Sequence, residues 1–144
     1  MTDNQYDAKQ WLNRMFNAAE EIASIKRTLE TIVADMGGVA NYSAEFPGKN
    51  PKANELKLLR YSQVAAELEK KQQDLDREDT RTADIINKLS NKKYKIVLRD
   101  RYINRLSWRK IAKVNNYSEA RLYELHREAL EDIYKFIPGR NGNI

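Results

Sequence analysis

Residues 95–130, KIVLRDRYINRLSWRKIAKVNNYSEARLYELHREAL, decide how this chain is read. An apolar helix ends at Asn104. Ser107 then stands directly before Trp108, and Ser118 directly before Glu119. Serine is a favoured helix N-cap, because its hydroxyl accepts from backbone N–H groups that have no partner in the first turn. Two helices are therefore predicted, Trp108–Val114 and Glu119–Phe136, separated by the turn Asn115-Asn116-Tyr117. Ala112 supplies the small side chain that two closely crossing helices need. The turn needs a residue tolerant of positive φ, and Asn115 or Asn116 meets that need through local side-chain hydrogen bonds. This is the grammar of a helix-turn-helix, whose second helix lies in the DNA major groove.

The buried stripe of the last helix reads Leu122, Leu125, Ala129, Ile133 and Phe136. Its outward face follows by subtraction: Glu119, Ala120, Tyr123, Glu124 and Arg127, with Arg121 at the flank. A carboxylate accepts from cytosine N4, an arginine reaches guanine bidentately, and alanine meets a thymine methyl. These residues are the candidate base readers. Glu119 has a second reading, as a charge complementing the helix N-terminus. Arg109, Lys110 and Lys113 project from the short helix, and Arg105 sits in the turn before it. With Ser118 and Arg121 they are the candidate phosphate contacts. Before this pair, a first helix over Lys92–Ile103 buries Tyr94, Val97, Leu98 and Tyr102.

Charge agrees with that placement. Residues 91–144 carry 13 Lys and Arg against 6 Asp and Glu, a net +7, whereas residues 1–90 carry 13 against 15, a net −2. The positive excess of the whole chain thus sits on the segment expected to face phosphates.

The N-terminal half has another pattern. Leu12, Met15, Ala19, Ile22, Ile25, Leu29, Ile32 and Met36 alternate at three and four residues. That spacing is a heptad stripe, read as a long amphipathic helix over about Tyr6–Met36 and ended by Gly37-Gly38. Residues 39–52 form a loop with turn chemistry at Pro47-Gly48 and Asn50-Pro51. A second long helix, about Ala53–Leu89, carries Tyr61, Ala65, Leu68, Gln72, Leu75, Asp79, Thr82, Ile86 and Leu89. Gln72, Asp79 and Thr82 weaken this seam; at such positions polar residues set register or mark a bend. The simplest packing is an antiparallel hairpin. The fold class expected is therefore all-α: a coiled-coil-like hairpin over residues 1–90, then a three-helix helix-turn-helix domain over 91–144, with a loose tail after Pro138-Gly139. Two helices alone bury little. Trp11, Phe16 and Val33 would stay partly exposed on an isolated hairpin, so a homodimer through residues 6–89, along the seam of Ile25 and Leu29, is expected.

Enzymatic chemistry finds little support. There is no Cys, which excludes disulfides and thiolate metal sites, and no phosphate loop or metal-ligand cluster is evident. The single His126 reads as a packing or phosphate-contacting residue. Asp74, Asp76, Glu78 and Asp79 read as a solvated helix face. No apolar run approaches the roughly 20 residues of a membrane span, and the polar N-terminus is unlike a signal peptide. No enzyme, no cofactor, no metal, no membrane and a cytoplasmic setting are the expectations.

Residues 92–136 resemble the C-terminal, promoter-reading region of bacterial sigma factors. More closely, RDRYINRLSWRKIA and YSEARLYELHREAL, set behind a long helical N-terminal half, resemble phage transcriptional activators of the ArpU/RinA type. The resemblance implies a transcriptional activator of late or lysis-related phage or prophage genes, with double-stranded DNA and host RNA polymerase as partners. It implies that Glu119, Ala120 and Glu124 face base edges, and that Arg109 and Lys110 face phosphates. Regions that bind the −10 element have no counterpart, so the chain is not a complete primary sigma factor. Two other readings stay open: a small terminase-like DNA-recognition subunit of a packaging machine, and a coiled-coil adaptor whose C-terminal bundle binds protein.

Overall fold

The computed structural model describes residues 1–36 and 51–139, residues 51–53 as backbone only. The described residues form helices and connecting turns: α1 (Asp3–Asp35), α2 (Pro51–Ile86), α3 (Lys92–Leu98), α4 (Trp108–Asn115) and α5 (Glu119–Tyr134). The fold is all-α. The turns expected at Gly37-Gly38, Pro47-Gly48 and Asn50 lie outside the described residues, as does the tail beyond Gly139.

By contacts the chain divides into two compact units. The larger holds Met1–Asn17 and Asp76 onward; the smaller is Ala18–Leu75. This differs from a boundary at Ser90. The start of α1 and the end of α2 belong with the three C-terminal helices, not with the remainder of the hairpin. The physical reason is burial. Ala8, Leu12, Met15, Thr82, Ile85, Ile86 and Leu89 are all buried in the larger unit, together with Val97, Leu98, Tyr102, Ile111 and the inner face of α5.

In the smaller unit α1 and α2 run antiparallel. Lys71 Nζ meets Glu21 Oε1 at 2.8 Å, and Lys57 Nζ donates to the Asp35 carbonyl at 3.4 Å. The later residue of α2 thus faces the earlier residue of α1. Hydrogen bonding to Glu21 holds the Lys71 ammonium pKa above its ordinary value. Ile22, Ile25 and Ile32 are buried between the arms, while Ala19, Leu29, Tyr61, Leu68 and Leu75 are half-buried. The heptad stripe expected from sequence is therefore used within one chain.

In the larger unit Arg14 joins α1 to α2, and its Nη1 also donates to the Trp11 carbonyl at 2.7 Å. Its guanidinium pairs with Glu78 Oε2 at 2.8 Å, donates to Thr82 Oγ1 at 3.1 Å and lies 3.7 Å over the Trp11 ring. The hydrogen bond from Arg14 holds the Glu78 carboxyl below the usual carboxylate range. Thr82, one of the polar seam positions, is thus buried with a partner. The first turn of α1 is tied to α5: Thr2 Oγ1 and Asn4 Nδ2 donate to the Glu131 carboxylate, and Gln5 Nε2 donates to the Arg127 carbonyl.

Helix α3 opens on Asn91, whose side chain accepts from the N–H groups of Lys93 and Tyr94. Beyond Leu98 the backbone widens over Arg99–Ile103 into a π-turn, closed by Asn104 N–H donating to the Arg99 carbonyl at 2.9 Å. The single helix expected over Lys92–Ile103 is thus α-helical only in its first half. The widened turn delivers Arg105 in a left-handed conformation, φ 54°.

Candidate nucleic-acid interface

Helices α4 and α5 are set by their caps. Ser107 Oγ accepts from Lys110 N–H at 3.2 Å, and Ser118 Oγ accepts from Arg121 N–H at 3.1 Å. Both N-caps stand where the sequence puts them. Between the helices Asn116 takes the left-handed conformation, φ 59° and ψ 42°. Of the two candidate asparagines, Asn116 makes the turn. Tyr117 N–H reaches back to the Ala112 carbonyl at 2.9 Å and closes the end of α4. Asn115 serves elsewhere. Its Nδ2 donates to Asp100 Oδ2 and to the Ile111 carbonyl, tying the turn to the π-segment. Asp100 Oδ1 also accepts from Asn104 Nδ2.

The pair packs on a closed core. Val97, Ile111, Ala112, Leu122 and Leu125 form one buried cluster, with Tyr94, Leu106, Trp108 and Tyr117 against it. Also on α5 and the π-segment, His126 and Tyr102 are buried, with the Tyr102 hydroxyl 2.7 Å from His126 Nε2. The Trp108 ring lies edge-on to His126 at 4.6 Å. Burial, with Lys9, Arg101 and Arg127 nearby, pushes the His126 pKa down to about 3, so the ring is neutral at physiological pH. Burial raises the Tyr102 pKa, which keeps its hydroxyl protonated. Of the two roles open to His126 from sequence, the structure places it in packing.

Arg101 is wedged between two rings, 4.7 Å from the Phe16 centroid and 4.6 Å from that of Trp108, and donates to the Leu106 carbonyl. It bridges α1 to the start of α4 by cation–π contact. Nothing in its sequence neighbourhood distinguishes it from Arg99 or Arg105.

The expected base readers share one face. Glu119, Ala120, Tyr123, Glu124 and Arg127 are all exposed on α5, opposite its buried stripe. Tyr123 is 40% exposed, and its ring rests on Trp108 at 5.5 Å. Glu124 accepts from Arg121 at 2.6 Å, and Glu128 Oε2 lies 3.6 Å from the same guanidinium. Arg121 is thus held along the helix by carboxylates. Glu128 Oε1 accepts from the Tyr94 hydroxyl.

Of the expected phosphate contacts, Arg109, Lys110 and Lys113 are exposed on α4 and make no ion pair among the described residues. Ser118 is exposed and caps α5. Arg105 is placed differently. Its two terminal nitrogens meet the two carboxylate oxygens of Asp79, each at 3.0 Å, in a half-buried bidentate pair. Asp79 therefore neither weakens a seam nor sits on a solvated face. It anchors the left-handed turn that starts the α4–α5 unit. A planar fork on a carboxylate is the geometry in which arginine is strongest.

Among the described residues no group of three or more His, Asp or Glu side chains could hold a metal ion, and no helix is long and apolar enough to cross a membrane.

The fold and this surface define an all-helical protein whose chain closes on a capped helix-turn-helix pair with a charged outer face. A family model described as a protein of unknown function, DUF1492, matches residues 54–134, more than half of the chain, and the protein belongs to that family. The match runs from the start of α2 to the last residue of α5. No curated protein and no solved structure matches the chain.

Proposed function

We propose that this protein is a sequence-specific DNA-binding regulator of transcription, an activator of phage or prophage genes acting in the bacterial cytoplasm on double-stranded DNA together with host RNA polymerase. One observation carries the reading. A turn with Asn116 at positive φ joins two Ser-capped helices and leaves five exposed side chains in a row on α5, Glu119 to Arg127, beside three cations on α4 with no ion pair among the described residues. The net +7 of residues 91–144 supports it. In this reading α5 enters the major groove, where Glu124 and Arg127 read base edges and Tyr123 stands on Trp108. Arg109, Lys110 and Lys113 neutralise phosphates. Arg105 acts one step back, holding the turn through Asp79.

Selection on random duplex DNA tests the proposal. The wild-type chain should enrich one motif. Glu124→Ala or Arg127→Ala should relax it at single positions, each bidentate base contact being worth about 1–3 kcal/mol. Arg109→Ala and Lys113→Ala should keep the motif but weaken binding, lowering the salt slope by about one for each phosphate no longer neutralised. No enriched motif, or a motif indifferent to all four substitutions, would sink the reading.

A further inference from the structure

Among the described residues of the hairpin, an apolar strip at the start of α2 stands exposed. Leu56 is 62% exposed and Leu59 is 54% exposed, both near the start of α2. Nine residues make two and a half turns of helix, so Leu56 lies opposite Ala65 and Leu59 opposite Leu68. Ala65 and Leu68 are half-buried on the seam with α1. The two exposed leucines therefore look away from the partner arm.

Their surroundings have a specific order. Glu55 and Arg60, both exposed, flank the pair on its two sides. In heptad terms Leu56 and Leu59 are a and d positions, Glu55 is g and Arg60 is e. When two such helices lie parallel about a two-fold axis, each g side chain meets the e side chain five residues further along the partner. Glu55 would then meet the Arg60 of a second copy, and the pairing would occur twice. Within one helix residues five apart point about 140° from each other, so these two cannot serve one another there.

We infer that the start of α2 is a self-association surface, in which two copies of this chain pair α2 in parallel with Leu56 and Leu59 in the seam and Glu55–Arg60 ion pairs at its edges. This surface differs from the one expected from sequence. Ile25 is buried inside the chain's own hairpin and Leu29 is half-buried there, so the seam that the heptad pattern offers to a dimer is already occupied. The new surface is short. Further along the same strip stand Gln63, Ala66, Lys70 and Gln73, and the next charged edge pair is Glu69 with Asp74, two acids. Association is thus confined to the first turns of the helix. A contact of that size falls short of the roughly 1,200 Å² of a standard stable interface, so the dimer is weak and strengthens when two copies are held side by side.

Charge reversal in the 144-residue chain tests the inference, read by sedimentation equilibrium without DNA, so that its outcome is independent of what α5 binds. Wild type should rise in mass above 16.9 kDa toward twice that value as concentration increases. Glu55→Arg alone and Arg60→Glu alone place like charges at the edges and should each weaken association several-fold. The double variant should restore it. Because the chain has no cysteine, Leu59→Cys adds a second measurement: position 59 meets its own copy across a parallel two-fold, so mild oxidation should link two chains, whereas Thr31→Cys on α1 should link far more slowly. A monomer at every concentration, with no cross-link in the Leu59→Cys variant, would overturn the inference, as expected if another segment of the same chain covers the leucines. So would a dimer indifferent to the charge reversals.

Discussion

Helix α1 carries one apolar stripe, but its two ends meet different fates. In the larger unit Leu12 and Met15 are essentially without exposure, at 0% and 1%. In the smaller unit the same stripe continues through Ala19 and Leu29, which are half-buried, and the best-covered residues there are isoleucines facing the single partner α2. A heptad stripe fixes which side of a helix turns inward. It does not fix how deeply that side is covered, because two helices shield only the seam between them. Full burial of Leu12 and Met15 occurs in the unit that also holds α3, α4 and α5. The N-terminal residues of this chain are therefore structural members of the candidate DNA-reading unit.

The largest expected effect tests that contrast. Leu12→Ala removes a fully buried side chain and should cost about 2–5 kcal/mol, transfer and cavity terms together. Leu29→Ala, on the same stripe but half-covered, should cost about 1 kcal/mol, since less surface returns to water and the gap opens to solvent. Urea unfolding of the full chain compares them. Equal losses would mean that the two ends of α1 are buried alike.

A second test uses the histidine at the heart of the larger unit. His126 has a folded pKa of about 3, below the ordinary 6.5. Below pH 6.5 the unfolded chain takes up a proton that the folded chain refuses. Stability is therefore complete above about pH 6.5 and falls as pH drops toward 3, by close to 1.4 kcal/mol for each pH unit once well inside that window. Between pH 7.5 and pH 5 the loss from this one group is about 2 kcal/mol. Glu78, with its lowered pKa, adds a loss of the same sign nearer the carboxylate range. The readout is the difference between wild type and His126→Gln, because Gln lacks the titration but leaves Glu78 in place. Parallel stability-against-pH curves for the two proteins would show that the ring is not shielded.

Much of the candidate site was legible because its determinants are local. Ser107 and Ser118 each accept from an N–H only three residues away, and Asn116 answers a backbone demand at its own position. The outward face of α5 follows from its period alone. The illegible parts are contacts between residues far apart in sequence. Asp79 reads like its acidic neighbours until Arg105, 26 residues later, is brought against it by a π-turn that no periodicity announces. Tyr102 and His126 look like two separate core positions, and only the fold makes them one hydrogen-bonded pair. The division between units departs from Ser90 for a related reason. Composition and charge change there, but Leu12 and Ile86 are buried with the helices beyond it, and packing does not follow composition.

The smallest expected effect concerns the turn itself, and it separates backbone demand from side-chain contact. Asn116 sits at φ 59°, where an L-residue other than Asn or Asp loses about 1–2 kcal/mol to the clash between its Cβ and the backbone. Its backbone N–H points to the Ala112 and Lys113 carbonyls, which leaves the side chain free of any part in closing the helix end. Asn116→Ala should therefore destabilise by about 1 kcal/mol, roughly 3–4 °C in Tm for a chain of this length. Asn116→Gly removes the Cβ clash but gives the unfolded chain more freedom to lose, and these opposing terms leave it within about 0.5 kcal/mol of wild type. Thermal unfolding of the three proteins should thus rank Gly and Asn together, above Ala. If Ala matched them, the left-handed turn would carry no strain, and α4 and α5 would owe their angle to the Ile111–Leu122 core alone. If Gly fell as far as Ala, the asparagine amide would be making a contact on which the turn depends. In either case the capped pair would remain helical, so the exposed row from Glu119 to Arg127 would keep its spacing. What would change is the angle at which α4 presents Arg109, Lys110 and Lys113 beside it.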